Sequence, residues 1–148
     1  MTTGNWVVRQ KIEIPFRYAA GSALTRFFKG LREKVIYASR CPRCDRRTVP
    51  PLSFCGRCWK PIEEMVCVGP RGTLESFAVV PHTVEELAEA APVVTYGLIR
   101  LEGADTNLAH VLRVEPLAVL RVGAPVEAVW KEQRTASILD IEHFRLLA

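Results

Sequence analysis

Between Arg40 and Cys58 the chain reads RCPRCDRRTVPPLSFCGRC, with four cysteines and five arginines in nineteen residues. Cys41 and Cys44 make one CxxC, Cys55 and Cys58 a second, with ten residues between the pairs. A CxxC turn places two thiolates on one side of a metal, so two such knuckles can complete a tetrahedron of sulfur around Zn²⁺ at about 2.3 Å. With all four positions filled by protein, no coordination site is left for water or substrate, and one structural zinc per chain is expected. Four thiolates also accept rubredoxin-like iron; zinc is favoured because nothing else in the chain implies electron transfer. Disulfides are the weaker reading in a reducing cytosol, and five cysteines cannot all pair within one chain. The fifth, Cys67, lies in the strand-like Met65–Val68 and reads as a buried small hydrophobe rather than a nucleophile.

The remaining candidates for chemistry are sparse. His82, His110 and His143 stand far apart with no nucleophile motif around them, and there is no phosphate-cradling glycine loop and no HExxH. No catalytic residue is therefore expected. His110 falls inside a strand and reads as structural, whereas His82 follows Pro81 in a loop and is better placed to face a ligand. Asp140 and Glu142 alternate along the last strand and read as its wet face.

The elements that must hold the cysteines come from 148 residues with 49% apolar composition, enough for one domain or two small ones with a real core. No apolar h-region follows the N-terminus and no stretch of about 18 uncharged apolar residues occurs, so a soluble, cytoplasmic protein with no membrane association is expected. Charge is divided: residues 1–62 carry 13 Lys and Arg against 3 Asp and Glu, residues 63–148 carry 7 against 13, which leaves +10 on one part and −6 on the other. A basic part of this kind suits an anionic partner, although it is also what a solvated basic face looks like.

Residues 5–18 read as an extended arm, with Ile12, Ile14 and Phe16 alternating against charged neighbours and Pro15 marking an edge. After Ser22, a plausible N-cap, Leu24, Phe27, Phe28 and Leu31 fall at helical spacing with Arg26, Lys29 and Arg32 opposite. This amphipathic face either docks another chain, the preferred reading, or packs on the protein's own core. Gly30 inside it costs about 1 kcal/mol relative to Ala, a cost acceptable where something approaches closely. Beyond the cysteines, Thr73–Val80, Val93–Leu101, Asn107–Val114, Pro125–Lys131 and Ala136–Leu146 read as five short strands. Glu85–Ala91 reads as a short helix or loop and Pro116–Leu120 as a turn of helix. Five interrupted strands suit a partly open Greek-key barrel of OB type, and a small sandwich would give a similar pattern. The fold class expected is mainly β with an N-terminal helix: arm and helix over 1–34, a rubredoxin-like zinc ribbon over 35–68, and a five-stranded OB-fold barrel over 69–148.

The order RFFKGLREKVIYASRCPRC, a proline pair, FCGRCW and then GPRGTLESFAVVPH resembles the zinc-ribbon/OB-fold accessory proteins that associate with thiolase-like enzymes of acyl-CoA metabolism. The resemblance spans roughly residues 24–145, with a strand opening at Gly72 and with VVTYGLIRLEG and VLRVEPLAVLRVGAPVEAVW standing for later strands. It implies a non-catalytic subunit in a hetero-oligomer with a thiolase-fold enzyme, assisting its assembly or activity and helping to guide a coenzyme A thioester to thiolysis, condensation or retro-aldol cleavage in the partner. Leu24, Phe27, Phe28 and Leu31 are then the expected docking residues, and Pro81, His82 and Thr83 the expected acyl-CoA-facing ones. The sequence departs from the common pattern in its long extended N-terminus and in Asp45, where a glycine often follows the first knuckle. The rival reading is a single-stranded nucleic-acid-binding zinc ribbon and OB barrel, which would use stacked aromatics and a positive groove. The barrel half carries −6 and offers only Phe77, Tyr96, Trp130 and Phe144 as platforms, so repulsion of a phosphate backbone argues against it.

Overall fold

A computed structural model describes residues 14–15, 17–81, 93–114 and 120–147. Helix α1 runs over Gly21–Arg32. It starts one residue ahead of the expected cap: Ala20 occupies the N-cap position, no side chain caps the first turn, and Ser22 lies inside that turn. Lys29 and Arg32 sit in the last turn, where the negative end of the helix dipole favours them. The helix closes in a Schellman arrangement, with Lys34 at φ 61° donating to the Leu31 carbonyl and Val35 donating to that of Gly30. Gly30 has the close neighbour its presence suggested, since a Cβ there would stand 2.6 Å from the Tyr37 ring and 2.8 Å from the Val35 carbonyl.

Three short strands follow and form one antiparallel sheet in the order β2-β1-β3: β1 (Ile36–Arg40), β2 (Arg47–Thr48) and β3 (Met65–Val68). Ile36 opposes Val68 and Ser39 opposes both Thr48 and Met65, so β1 is the central strand from which the first knuckle springs. Period-two alternation buries Val68 and turns Cys67 outward; the fifth cysteine is exposed, not buried as its apolar neighbours suggested.

Five strands then close into a barrel in the order β4-β5-β6-β8-β7. They are β4 (Arg71–Pro81), β5 (Val93–Leu101), β6 (Asn107–Arg113), β7 (Pro125–Trp130) and β8 (Ile141–Leu146). All pairings are antiparallel except β6 with β8, where Leu112 meets Phe144, and β4 with β7 seals the ring at Arg71–Glu127 through Thr73–Pro125. Closure into this mainly β barrel behind one helix and a zinc-ribbon cysteine set is the OB arrangement, and it removes the sandwich alternative. Gly72 is required at the seam, since a Cβ would stand 2.5 Å from the Arg100 carbonyl. The last strand is shorter than its sequence suggested. Ser137 and Asp140 form a capping box around a 3₁₀ turn at Ile138–Asp140, and the strand begins only at Ile141. Asp140 is accordingly 2% exposed, its carboxylate accepting the N–H groups of Thr135 and Ser137; it is a buried cap and not part of a wet face.

One core runs through helix, ribbon and barrel. Leu74, Ile99, Leu108, Val126, Ile141 and Phe144 fill the barrel, and the same cluster includes Ile36, Ala38 and Val49 of the ribbon and Phe27 and Leu31 of α1. Phe27 and Leu31 are 1% and 0% exposed, while Leu24 and Phe28 are half-buried against the cluster. The helix face expected at a partner interface thus lies on the chain's own core at its two central positions. The C-terminal end of the helix is tied to the segment after β7 by Arg134, whose guanidinium donates to the Arg32, Lys131 and Glu132 carbonyls. Ribbon and barrel are tied again at Asp105, which accepts the Arg47 N–H, and at Thr106, whose hydroxyl pairs with both backbone groups of Val49. No helix is long and apolar enough to cross a membrane. The expected arm residues 5–13 and 16, the loops at Glu85–Ala91 and Pro116–Val119, and His82 and Thr83 lie outside the described residues.

Candidate metal centre

The two knuckles have the same backbone. Cys41 donates its N–H to the Arg46 carbonyl at 2.9 Å and accepts from Asp45 at 3.0 Å; Cys55 donates to Lys60 at 2.9 Å and accepts from Trp59 at 2.9 Å. In each, the residue after the second cysteine takes a left-handed conformation, Asp45 at φ 62° and Trp59 at φ 53°. This is the physical sense of the position where glycine is common. Asp tolerates the region by local hydrogen bonding, whereas a bulky residue pays about 1–2 kcal/mol there. Asp45 is also held by Arg40, whose guanidinium bridges it to Glu64.

The turns bring Cys41, Cys44, Cys55 and Cys58 together with every Sγ within 4.8 Å of the others, and Cys44 to Cys55 at 3.7 Å. A tetrahedron with bonds of about 2.3 Å has edges of about 3.8 Å, so the cage matches one zinc ion. Cys41 and Cys55 are buried with Ile62, and Cys44 and Cys58 half-buried around them. Backbone N–H groups of Arg57 and Cys58 aimed at the Cys55 sulfur hold its thiol down to about 6. Its neighbours act in the opposite sense on Cys58, which is pushed up to about 12 by its contact with Cys44, by burial and by Cys55. Four sulfurs this close do not all ionise unaided. A divalent cation reconciles them, by charge and by releasing the remaining protons, so the donor set fits the metal that its spacing implies. A zinc ion held by these four residues would cross-link the two turns, and four protein sulfurs would leave it no open position for chemistry.

The other candidates do not gather. Pro81 ends β4 opposite Val93. His110 is on β6, edge-on to Phe144, with Nε2 at 3.3 Å from the Ile138 carbonyl and Nδ1 without a partner; burial holds it below the ordinary histidine range. His143 on β8 is lowered as well, by burial first and then by Arg113, with Glu142 at 3.7 Å acting the other way. Among the described residues neither ring hydrogen-bonds a Ser, Thr or Cys side chain.

Two surfaces escaped the reading of the sequence. Phe77, Val79 and Val80 of β4 and Val93, Tyr96 and Leu98 of β5 are all exposed; the register puts Phe77, Val79 and Val93 on one face of the β4–β5 pair and Val80, Tyr96 and Leu98 on the other. The signal was there: SFAVVP and VVTYGLI contain no charge, so no polar row marks a solvent face. The second surface is the tip of the ribbon, where Trp59 is 80% and Phe54 59% exposed.

Residues 28–64 match the rubredoxin-like zinc-ribbon domain of ChsH2, and residues 66–131 match the C-terminal OB-fold domain of ChsH2. No curated protein matches the sequence significantly. Among solved structures, a DUF35-family protein of unknown function from Sulfolobus solfataricus is 24% identical, with 85% of this chain and 84% of that chain covered at a TM-score of 0.65. An Ltp2–ChsH2(DUF35) aldolase structure includes a chain that is 22% identical, with 88% of this chain and 98% of that one covered at a TM-score of 0.67. The paired cysteine knuckles, the closed five-stranded barrel behind them and the two adjoining domain matches make this chain a member of the ChsH2 family of zinc-ribbon/OB-fold proteins.

Proposed function

We propose that this chain is a non-catalytic accessory subunit of a thiolase-fold enzyme that acts on acyl-CoA thioesters by thiolysis, condensation or retro-aldol cleavage. The observation that carries the reading is the apolar β4–β5 pair, bare on both of its faces. Phe77, Val79 and Val93 on one face and Val80, Tyr96 and Leu98 on the other are exposed to between 37% and 48%. Large apolar side chains bare on both sides of one two-stranded segment mark a protein interface. An analogy for its occupant is the Ltp2–ChsH2(DUF35) aldolase, whose structure includes a chain of this fold. The reading assigns the nucleophile and base to the partner, and the closed thiolate cage to structure.

In this arrangement helix α1 contributes through the parts of Leu24 and Phe28 that its own core leaves free, and 1–34, 35–68 and 69–148 act as arm with helix, ribbon and barrel. On this reading Pro81, His82 and Thr83, which continue the sequence after β4, are the residues expected to face the acyl-CoA. The nucleic-acid alternative is disfavoured by the same strands. Phe77 and Tyr96 stand among Val and Leu rather than among cations, and the nearby Arg100 is engaged by Glu75 at 2.6 Å.

Reconstitution tests the proposal. The isolated zinc-loaded chain should turn over no acyl-CoA, and mixing it with the thiolase-fold enzyme from the same genome should produce a stable complex and raise turnover of a 3-oxoacyl-CoA. Val80→Asp with Leu98→Asp should abolish that complex while leaving the melting transition in place. Turnover by the isolated chain, or a complex indifferent to both charges, would overturn the reading.

A further inference from the structure

The ribbon tip carries cations that no described carboxylate engages. Arg40 is taken by Asp45 and Glu64, and Arg47 by Asp45 and the Gly103 carbonyl. Arg43, Arg46, Arg57 and Lys60 are exposed and, among the described residues, no carboxylate lies within ion-pair distance of any of them. Beside them, Phe54 pairs across the base of the second knuckle with Pro61, and Trp59 stands at its apex in the left-handed region. Trp59 shares the knuckle's backbone bond to Cys55, but its indole, on a left-handed backbone, is 80% exposed. Trp and Arg are the side chains most enriched among residues that dominate protein–protein binding, because each combines a large desolvated face with a polar edge.

We infer that the knuckle tip is a second docking surface, on which Trp59 and Phe54 insert into an apolar depression of the enzyme partner and Arg43, Arg46, Arg57 and Lys60 meet an acidic rim around it. This rests on the accessory-subunit reading and adds to it the partner's chemistry at a site distinct from the β4–β5 strands. A compact phosphate group is the poorer occupant. The shallow depression between the knuckles is lined by Arg46 and Arg57 but also by Asp45 and Asp105, so it is mixed in sign. The free cations are instead spread over both turns, as an extended acidic surface requires and a single phosphate does not.

The strain supplies a clean variant. Trp59→Gly removes the indole and relaxes the backbone at φ 53°, so it should fold and hold zinc at least as well as the parent chain. Its affinity for the thiolase-fold enzyme of the same genome, measured by titration calorimetry, should fall about thirtyfold, which is about 2 kcal/mol at about 1.4 kcal/mol per decade. Arg57→Glu should weaken the complex at least tenfold at low salt and make its affinity less dependent on ionic strength. Coenzyme A titrated against the isolated chain is the third arm, with no binding expected. If the parent chain forms no complex, the accessory-subunit reading falls and this inference falls with it. If it binds and both variants bind equally well, only the knuckle surface is refuted. If coenzyme A binds the isolated chain and Arg57→Glu abolishes that, the tip is a nucleotide site and the protein-docking inference is wrong.

Discussion

Stripping the metal should melt the knuckles and leave the rest of the chain folded. Two apolar clusters with unequal means of support give the reason. The cluster at the knuckles contains, besides the four cysteines, only Ile62. Burying one such side chain contributes about 1.5–3 kcal/mol, while ordering each residue of a knuckle costs about 1–2 kcal/mol of backbone entropy. A single isoleucine cannot hold two turns, and a structural zinc, with an apparent binding free energy of about 10–16 kcal/mol, can. The base of the ribbon is different, because Ile36, Ala38, Val49 and Val68 belong to the core shared with α1 and the barrel. Amide hydrogen exchange reads the distinction bond by bond. With zinc, the N–H groups of Cys41, Asp45, Cys55, Trp59 and Ile62 should be protected, each having a backbone acceptor between 2.8 and 3.0 Å. After chelation, or in Cys44→Ser, those five should exchange freely while Leu74, bonded to Ala124, and Ala128, bonded to Pro70, remain protected. Knuckle amides that stay protected without metal would show that the turns support themselves. Barrel amides lost together with them would show that the shared core depends on the metal, and either result refutes the division.

Two further outcomes follow from the core. Phe27→Ala should destabilise the chain by about 3–5 kcal/mol, since the ring is 1% exposed within the main cluster; that corresponds to a fall in Tm of roughly 6–20 °C for a chain of this size, and an unchanged Tm with lost partner binding would return the helix to the interface. Acidification below about pH 6.5 should weaken folding: burial lowers the pKa of His110, and that of His143 with help from Arg113, so the folded and unfolded chains are both neutral there at higher pH and the unfolded chain takes up protons first as the pH falls. Thermal melts of His110→Leu should show a lower baseline stability, from loss of the bond to Ile138, and a shallower decline over that interval; an unaltered decline would assign it elsewhere.

The cysteines were legible because a metal cage needs only residue type and spacing, and the barrel strands because Val, Ile and Leu recur between turn residues over Val93–Leu101, Asn107–Arg113 and Pro125–Trp130. What sequence reasoning misplaced are sites where a local signal had two physical outcomes. An amphipathic stripe such as Leu24, Phe27, Phe28 and Leu31 looks alike whether it covers its own core or another chain, and only the packing of Ile36 and Phe144 nearby in the same cluster decides. Asp140 reads as one step of an alternation, yet Ser137 three residues earlier makes a capping box with it, and the capping box was the stronger signal. Cys67 was assigned by composition, whereas its exposure follows from alternation with Val68.

Charge separation along the chain acquires a mechanical meaning once the pairs are known. Four acidic residues serve at the joints: Glu64 and Asp45 hold Arg40, Glu127 bridges Arg71 and Arg145 across the barrel seam, and Glu75 holds Arg100. Arg145 and then Arg71 keep the Glu127 carboxyl below its ordinary range, which is the signature of a carboxylate used as a clamp. At the ribbon tip, Arg43, Arg46, Arg57 and Lys60 remain exposed with no described carboxylate within ion-pair distance. If the chain docks as proposed through its bare β4–β5 strands, a second, charged contact at a distance adds orientation, because apolar burial is non-directional and charge pairing is not. The two surfaces would then divide the work of association, the strands supplying affinity and the knuckles the alignment of the complex.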